Sequence, residues 1–109
     1  MFVVTPADIA LCVTSQVHTS SRARVTDQTK LLIELGWTIG TADWWLREPP
    51  TSLALGAVLA SIEMCGTFFP EFESFVKDSG CTNVRDQSNV FRELFNKARD
   101  HQLSLRSDV

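Results

Sequence analysis

The chain has 109 residues, of which 44% are hydrophobic and 21% are charged, and its net charge is −3. This composition excludes a disordered chain and predicts one globular domain over residues 1–109. Nucleic-acid affinity depends on Lys and Arg side chains that neutralise phosphates. An acidic chain whose only basic cluster is Arg22 and Arg24 is therefore not expected to bind nucleic acid directly.

The N-terminal residues and the cysteines predict a cytoplasmic protein. The sequence MFVVTPADIA has no basic region and reaches Pro6 and Asp8 too early for a secretion signal. Cys12, Cys65 and Cys81 are odd in number, and reduced thiols are typical of a cytoplasm. Since Cys81 follows a glycine in a predicted loop and the other two fall in apolar helical patterns, Cys81 is expected to be the exposed thiol.

Two helices are predicted in the first third of the chain. The segment TPAD at residues 5–8 is a strong helix start, because its threonine can cap the backbone, its proline suits the first turn and its aspartate favours the positive end of the helix dipole. This first helix is expected over residues 6–17. A second helix is expected over residues 27–35, with Gly36 as the left-handed residue that ends it.

All three tryptophans lie close together, at Trp37, Trp44 and Trp45. A short helix capped by Thr41 is expected to carry the last two and to end before the paired prolines. Adjacent residues on a helix point about 100° apart. One of the two neighbouring tryptophans is therefore expected in the core and the other, with Leu46, at a partly exposed surface.

The longest apolar run, SLALGAVLASIEMCGTFF, predicts a helix over about residues 52–69. Apolar residues occupy nearly all of its faces, which indicates a helix buried on most sides. The expected fold is all-α: a compact bundle of four to five helices around this central helix. Ser61 and Glu63 interrupt the run and neither flank carries an excess of basic residues, so no membrane span is expected.

Small residues on this central helix predict a close contact with another helix. Gly56 and Ala60 are four positions apart, a spacing that lets a second helix approach. A second copy of the chain is the simplest way to bury the apolar and aromatic surface that a single copy cannot enclose, so the sequence predicts a homodimer. The predicted dimer-interface residues are Leu55, Gly56, Leu59 and Ala60.

Two further helices are predicted after the central one. Pro70 is expected to open a helix with an aromatic face, and Gly80 is expected to end it. A last amphipathic helix is expected from residue 83 or 86 to about residue 101. The ends of the chain, about residues 1–4 and 103–109, are expected to be flexible.

The sequence contains no catalytic or metal-binding pattern. The cysteines and the two histidines, His18 and His101, lack the paired spacing that zinc sites use, and no glycine-rich phosphate loop or nucleophile motif occurs. The sequence therefore predicts a non-enzymatic protein with no cofactor and no metal.

The aromatic content instead indicates a protein–protein interface. Interfaces concentrate Trp and Phe, and a few large anchors carry most of the binding energy. Three Trp and seven Phe are more than a few short helices are expected to enclose together with an apolar central helix. The predicted partner-binding residues are Trp44, Trp45, Leu46, Phe68 and Phe72.

The run WTIGTADWWLREPPTSLALGAVLASIEM, with the size and the acidic helical character of the chain, resembles the QslA-type family of small helical anti-activators in bacterial quorum sensing. The resemblance implies a homodimer that binds the ligand-binding domain of a LuxR-type transcription factor such as LasR. It also implies that the chain occupies the surface that the factor needs for its own dimerisation. DNA binding would then fail, because operator recognition by such factors requires two copies at a fixed spacing.

The residues leave two other functions open, and a third, an enzyme, would return only with a cleft of convergent polar groups. One is another inhibitor of protein interactions, of a phage-encoded or immunity type, that acts through a similar aromatic patch. The other is a small-ligand sensor whose aromatic side chains line a pocket; in that case native mass spectrometry would detect a retained ligand.

Overall fold

The computed structural model describes residues 4–17 and 20–107, and within these ranges the chain forms six helices and no strand. The helices are α1 (Pro6–Thr14), α2 (Arg22–Ile39), α3 (Ala42–Arg47), α4 (Pro50–Cys65), α5 (Glu71–Ser79) and α6 (Val84–Ser107). The radius of gyration is 14.2 Å, near the value of about 13 Å for a compact chain of this length. The prediction of an all-α fold is confirmed.

The central helix of the sequence analysis is α4, which contacts α1, α2 and α6. Residues 52–58 are all buried, and so are Ala60, Ser61 and Ile62. The helix ends at Cys65, four residues before the predicted end, because Gly66 takes up a left-handed conformation with φ 65°. A single copy of the chain thus covers nearly all of this apolar helix.

Helices α4 and α6 pack closely where Gly56 meets Gln87 and Ser88. A Cβ atom at Gly56 would overlap the Gln87 side chain and lie 3.0 Å from the Ser88 backbone nitrogen. One turn further along α6, Phe91 is fully buried. The glycine therefore lets α6 approach to a distance that any larger residue would prevent.

The start of α1 follows the prediction. The Thr5 hydroxyl accepts the Asp8 N–H at 3.2 Å, and the Asp8 carboxylate accepts the Thr5 N–H at 3.2 Å, which together form a capping box. The helix ends at Thr14 rather than at the predicted Val17.

Helix α2 is longer than predicted at both ends, since it begins at Arg22 and continues to Ile39. The prediction that Gly36 ends this helix is wrong. Gly36 lies inside the helix, where an added Cβ would come within 2.8 Å of both Phe91 Cε1 and Trp45 Cζ3. The residue is small because two aromatic rings pack against it, not because the backbone turns there.

Helix α5 begins directly after Pro70 and ends at Gly80, as predicted. Gly66 before it and Gly80 after it both have positive φ. Few close backbone approaches join α5 to any other helix. Phe72 anchors it instead: the side chain is buried, and its ring meets the buried Phe69 ring edge-on at 5.9 Å.

Helix α6 extends past the predicted end near residue 101 and reaches Ser107. The backbone of residues 103–107, which the sequence assigns to a tail, is helical. The predicted flexible residues 1–3 and 108–109, and also His18, lie outside the described residues. Within the described ranges, no helix combines the length and the apolar character needed to cross a membrane.

Candidate functional site

A continuous apolar strip follows one side of α2, between α1 and α3. Three neighbouring depressions of about 280, 360 and 220 Å³ form it. Ala7 and Ile33 line both the first and the second, while Trp37 and Trp45 line both the second and the third. We name this strip the tryptophan face and define it by Pro6, Ala7, Ala10, Leu11, Ile33, Trp37, Trp45 and Leu46.

Large apolar side chains on the tryptophan face are open to solvent. Trp37 is 67% exposed, Leu46 is 79% exposed and Leu11 is 44% exposed. Single exposed apolar residues are ordinary, but a contiguous group that includes an indole ring is typical of a surface that another molecule covers. The tryptophan face is therefore the strongest candidate binding surface among the described residues.

Local structure fixes the two aromatic side chains of this face. Ile33 and Trp37 are four residues apart on α2 and so lie on the same side of the helix. The Thr41 hydroxyl caps α3 by accepting the Trp44 N–H at 3.3 Å, which turns Trp44 inward and leaves Trp45 at the edge of the core.

Four aromatic rings connect the tryptophan face to the core. Each ring meets the next edge-on. The distances between ring centroids are 6.0 Å for Trp37 and Trp45, 5.8 Å for Trp45 and Trp44, and 5.3 Å for Trp44 and Phe91. The Trp44 indole N–H also donates to Gln87 Oε1 at 2.6 Å, where both side chains are buried. The exposed Trp37 ring therefore packs on Trp45, and through Trp45 on Trp44, which contacts Phe91 and Gln87 of α6.

A second concave surface lies between the end of α4, α5 and the start of α6, with a volume of about 580 Å³. We name it the α5 groove. Its apolar lining consists of Leu59, Ile62, Phe68, Phe72 and Val76. Its charged lining consists of Glu63, Glu73, Lys77 and Arg85.

The charged side chains at the α5 groove form an ion-pair group. Glu63 Oε1 lies 2.7 Å from Arg85 Nη1 and 3.6 Å from Arg92 Nη1. All three side chains keep at least a third of their area exposed, so solvent weakens these pairs. Their contribution to stability is therefore small.

The predicted partner-binding residues lie on two separate surfaces. Trp45 and Leu46 line the tryptophan face, while Phe68 and Phe72 line the α5 groove, and the two surfaces share no lining residue. Phe68 is 64% exposed, whereas Phe72 presents only a small part of its ring at the groove floor. Trp44 is a core residue, which corrects its assignment as a contact residue.

The predicted dimer-interface residues do not form an exposed surface. Leu55, Gly56 and Ala60 are buried inside the fold of a single copy, which corrects their assignment to a contact between copies. Leu59 is half-buried and lines the α5 groove.

Sequence reasoning did not select Trp37 or Leu11, although both are more exposed than Trp45. The spacing of Ile33 and Trp37 was the available signal, but it has meaning only if α2 continues past Gly36. A helix that ends at Gly36, as the sequence predicts, does not include Trp37, so this signal has no meaning for the predicted fold.

The polar chemistry of the described residues is sparse. Within 4–17 and 20–107, no three His, Cys, Asp or Glu side chains come close enough together to hold a metal ion. Cys12 is exposed, while Cys81 is half-buried and its Sγ accepts the Ser52 hydroxyl at 3.3 Å. The prediction that Cys81 is the exposed thiol is therefore wrong.

The chain matches no protein-family model, no curated protein and no solved structure.

Proposed function

We propose that this chain is a non-enzymatic regulatory protein that binds another protein through the tryptophan face and blocks an interface of that partner. The observation that carries the proposal is the exposure of Trp37 and Leu46 on one continuous apolar strip. Large aromatic and aliphatic anchors of this kind supply most of the binding energy at protein interfaces.

The specific partner in this proposal is a LuxR-type, LasR-like transcription factor, and the resemblance to QslA-type anti-activators supports it. The chain acts as an anti-activator: it covers the dimerisation surface of the factor's ligand-binding domain, and the factor then no longer binds DNA. An apolar surface suits this role, because obligate dimer interfaces are more apolar than the rest of a protein surface.

A homodimer of the chain is also part of the proposal. Since Leu55, Gly56 and Ala60 are buried within a single copy, a second copy would have to use a different surface from the one the sequence predicted. Sedimentation velocity over a hundredfold range of concentration tests it; a strict monomer throughout would remove the dimer from the proposal.

The test of partner binding uses the purified ligand-binding domain of a LuxR-type factor and isothermal titration calorimetry. Trp37→Ala and Leu46→Ala should each raise Kd by about 30-fold, equivalent to about 2 kcal/mol for a true anchor. Leu31→Ala is the matched control, because Leu31 is also an exposed leucine of this fold but lines a different depression.

Three results would contradict the proposal. No binding by the unmodified chain would remove the LuxR-type partner. Equal Kd values for all three variants, with circular dichroism showing intact folds, would remove the tryptophan face as the contact surface. Binding that leaves the dimeric factor on its operator DNA would remove the blocking mechanism.

A further inference from the structure

Helix α3 carries two residues of the tryptophan face, Trp45 and Leu46, but its backbone comes close to that of α2 at few points. A helix of six residues is too short to keep its place without contacts to the rest of the fold. At its C-terminal end, Glu48 accepts a hydrogen bond from Asn83 Nδ2 at 2.9 Å. The side chains of Trp44 and Trp45 supply the contact with α2.

Each of these two tryptophan rings lies against a glycine at the end of α2. An added Cβ atom would lie 2.8 Å from Trp45 Cζ3 at Gly36, and 2.7 Å from Trp44 Cζ3 at Gly40. Carbon atoms in contact normally stay about 3.5–4.0 Å apart, so only glycine leaves room for the rings at these positions. The two glycines are four residues apart, and α3 is therefore seated on the last turn of α2.

The Trp45 ring connects Gly36 to the exposed part of the tryptophan face. Gly36 itself is buried, so a partner does not touch it. Trp45 meets Trp37 edge-on, and the two rings together line two of the three depressions. An anchor that is already held in its bound orientation loses less conformational freedom on binding. A buried glycine thus affects how well the exposed Trp37 ring is prepared to bind.

We infer that Gly36 is a positioning residue for the tryptophan face: it gives the Trp45 ring its place on α2, and Trp45 in turn supports Trp37. The inference rests on the proposed function, in which Trp37 is a main anchor. A methyl group at Gly36 would displace the Trp45 ring by about 1 Å, the difference between 2.8 Å and an ordinary contact. This displacement changes the shape of both depressions that the two rings share.

NMR of the free chain tests the position of the ring. In Gly36→Ala, nuclear Overhauser effects between the Trp37 and Trp45 rings should weaken, and the Trp45 indole N–H signal should shift. The new methyl group also overlaps Phe91 Cε1, so the change is repeated in the Phe91→Leu background, where that atom is absent. Gly36→Ala/Phe91→Leu should show the same weakening relative to Phe91→Leu alone, and circular dichroism checks that each variant folds.

Binding of the LuxR-type domain tests the consequence for affinity. Gly36→Ala should raise Kd about tenfold, less than the loss expected for Trp37→Ala, because the anchor is misplaced rather than removed. Gly66→Ala is the matched control. It makes the same change at a glycine with φ 65°, where the strain lowers stability, but its Cβ would have no heavy atom within 4 Å. Its Kd and its tryptophan signals should equal those of the unmodified chain.

Four results would overturn the inference. Unchanged Overhauser effects between Trp37 and Trp45 in the folded Gly36→Ala variants would mean that Gly36 does not place the ring. An equal loss of affinity in Gly66→Ala would mean that reduced stability, not ring position, weakens binding. Displaced rings with an unchanged Kd would show that binding does not depend on ring position, and the proposed function would stand. No binding by the unmodified chain would remove the proposed function and the inference together.

Discussion

The buried hydrogen bond between Trp44 and Gln87 permits a quantitative test of how α3 is attached to the core. Indole Nε1–H donates to Gln87 Oε1 at 2.6 Å, and the two side chains are 7% and 4% exposed. Gln87→Met keeps an unbranched side chain of similar size but leaves the indole N–H without its acceptor. Leaving one buried hydrogen-bond donor without an acceptor lowers the free energy of unfolding by about 1–3 kcal/mol.

A double-mutant cycle separates this hydrogen bond from the loss of packing. Trp44→Phe removes the donor and part of the ring, so alone it should also destabilise the fold. The double variant Trp44→Phe/Gln87→Met has neither donor nor acceptor, and it should be more stable than the sum of the single effects predicts by about 1–2 kcal/mol. Urea denaturation followed by far-ultraviolet circular dichroism measures each free energy of unfolding.

Additivity of the two single changes within about 0.5 kcal/mol would refute this reasoning, because independent sites behave in that way. A change in the m-value of one variant would invalidate the comparison for that variant, since the slope reports the surface exposed on unfolding. Ser88→Ala provides a contrasting variant next to Gln87 on α6. The Ser88 hydroxyl is buried with no hydrogen-bond partner among the described residues, so its removal breaks no hydrogen bond.

Three further predictions concern packing and exposure. Gly56→Ala should lower the free energy of unfolding by about 1–2 kcal/mol, because overpacking against Gln87 exceeds the gain of about 1 kcal/mol in helix propensity; a higher Tm would contradict it. Ser88→Ala should leave stability unchanged or raise it by up to about 1 kcal/mol in urea denaturation, and a clear loss would reveal a missed partner. Trp37→Phe should remove most of the acrylamide-quenchable fluorescence, whereas Trp44→Phe should remove little; similar losses would contradict the burial difference.

Sequence reasoning succeeded where a signal is local to a few residues. The capping box at Thr5, the cap at Thr41 and the stop at Gly80 were all predicted, because each depends on backbone groups within one turn of the residue. The 100° offset between adjacent positions also separated Trp44 from Trp45 correctly, with one ring in the core and the other at its margin.

The role of a glycine could not be predicted from its neighbours in the sequence alone. Gly66 and Gly80 have positive φ and end helices, whereas Gly36 and Gly56 are helical and admit a neighbouring ring or helix. The residue type is the same in all four cases. Only the positions of the other helices distinguish a glycine that ends a helix from one that allows a close contact between helices, and the sequence does not give those positions.

The predicted dimer interface is wrong for a related reason. The spacing of Gly56 and Ala60 correctly indicates that a helix packs closely against α4. It does not indicate which chain supplies that helix, and α6 of the same copy does so. The exposed apolar side chains of the tryptophan face lie instead on α1, α2 and α3, where only Trp45 and Leu46 were predicted as contact residues.

The weak attachment of α5 has a consequence for the groove that it lines. Two glycines in left-handed conformations flank this helix, and its backbone comes close to the other helices at few points. Side chains such as Phe72, whose ring contacts Phe69, attach it to the core. Segments with few such contacts open at a lower free energy than the whole domain. The distance between the groove walls is therefore adjustable, and the amide hydrogens of α5 should exchange faster than those of the buried helix α4.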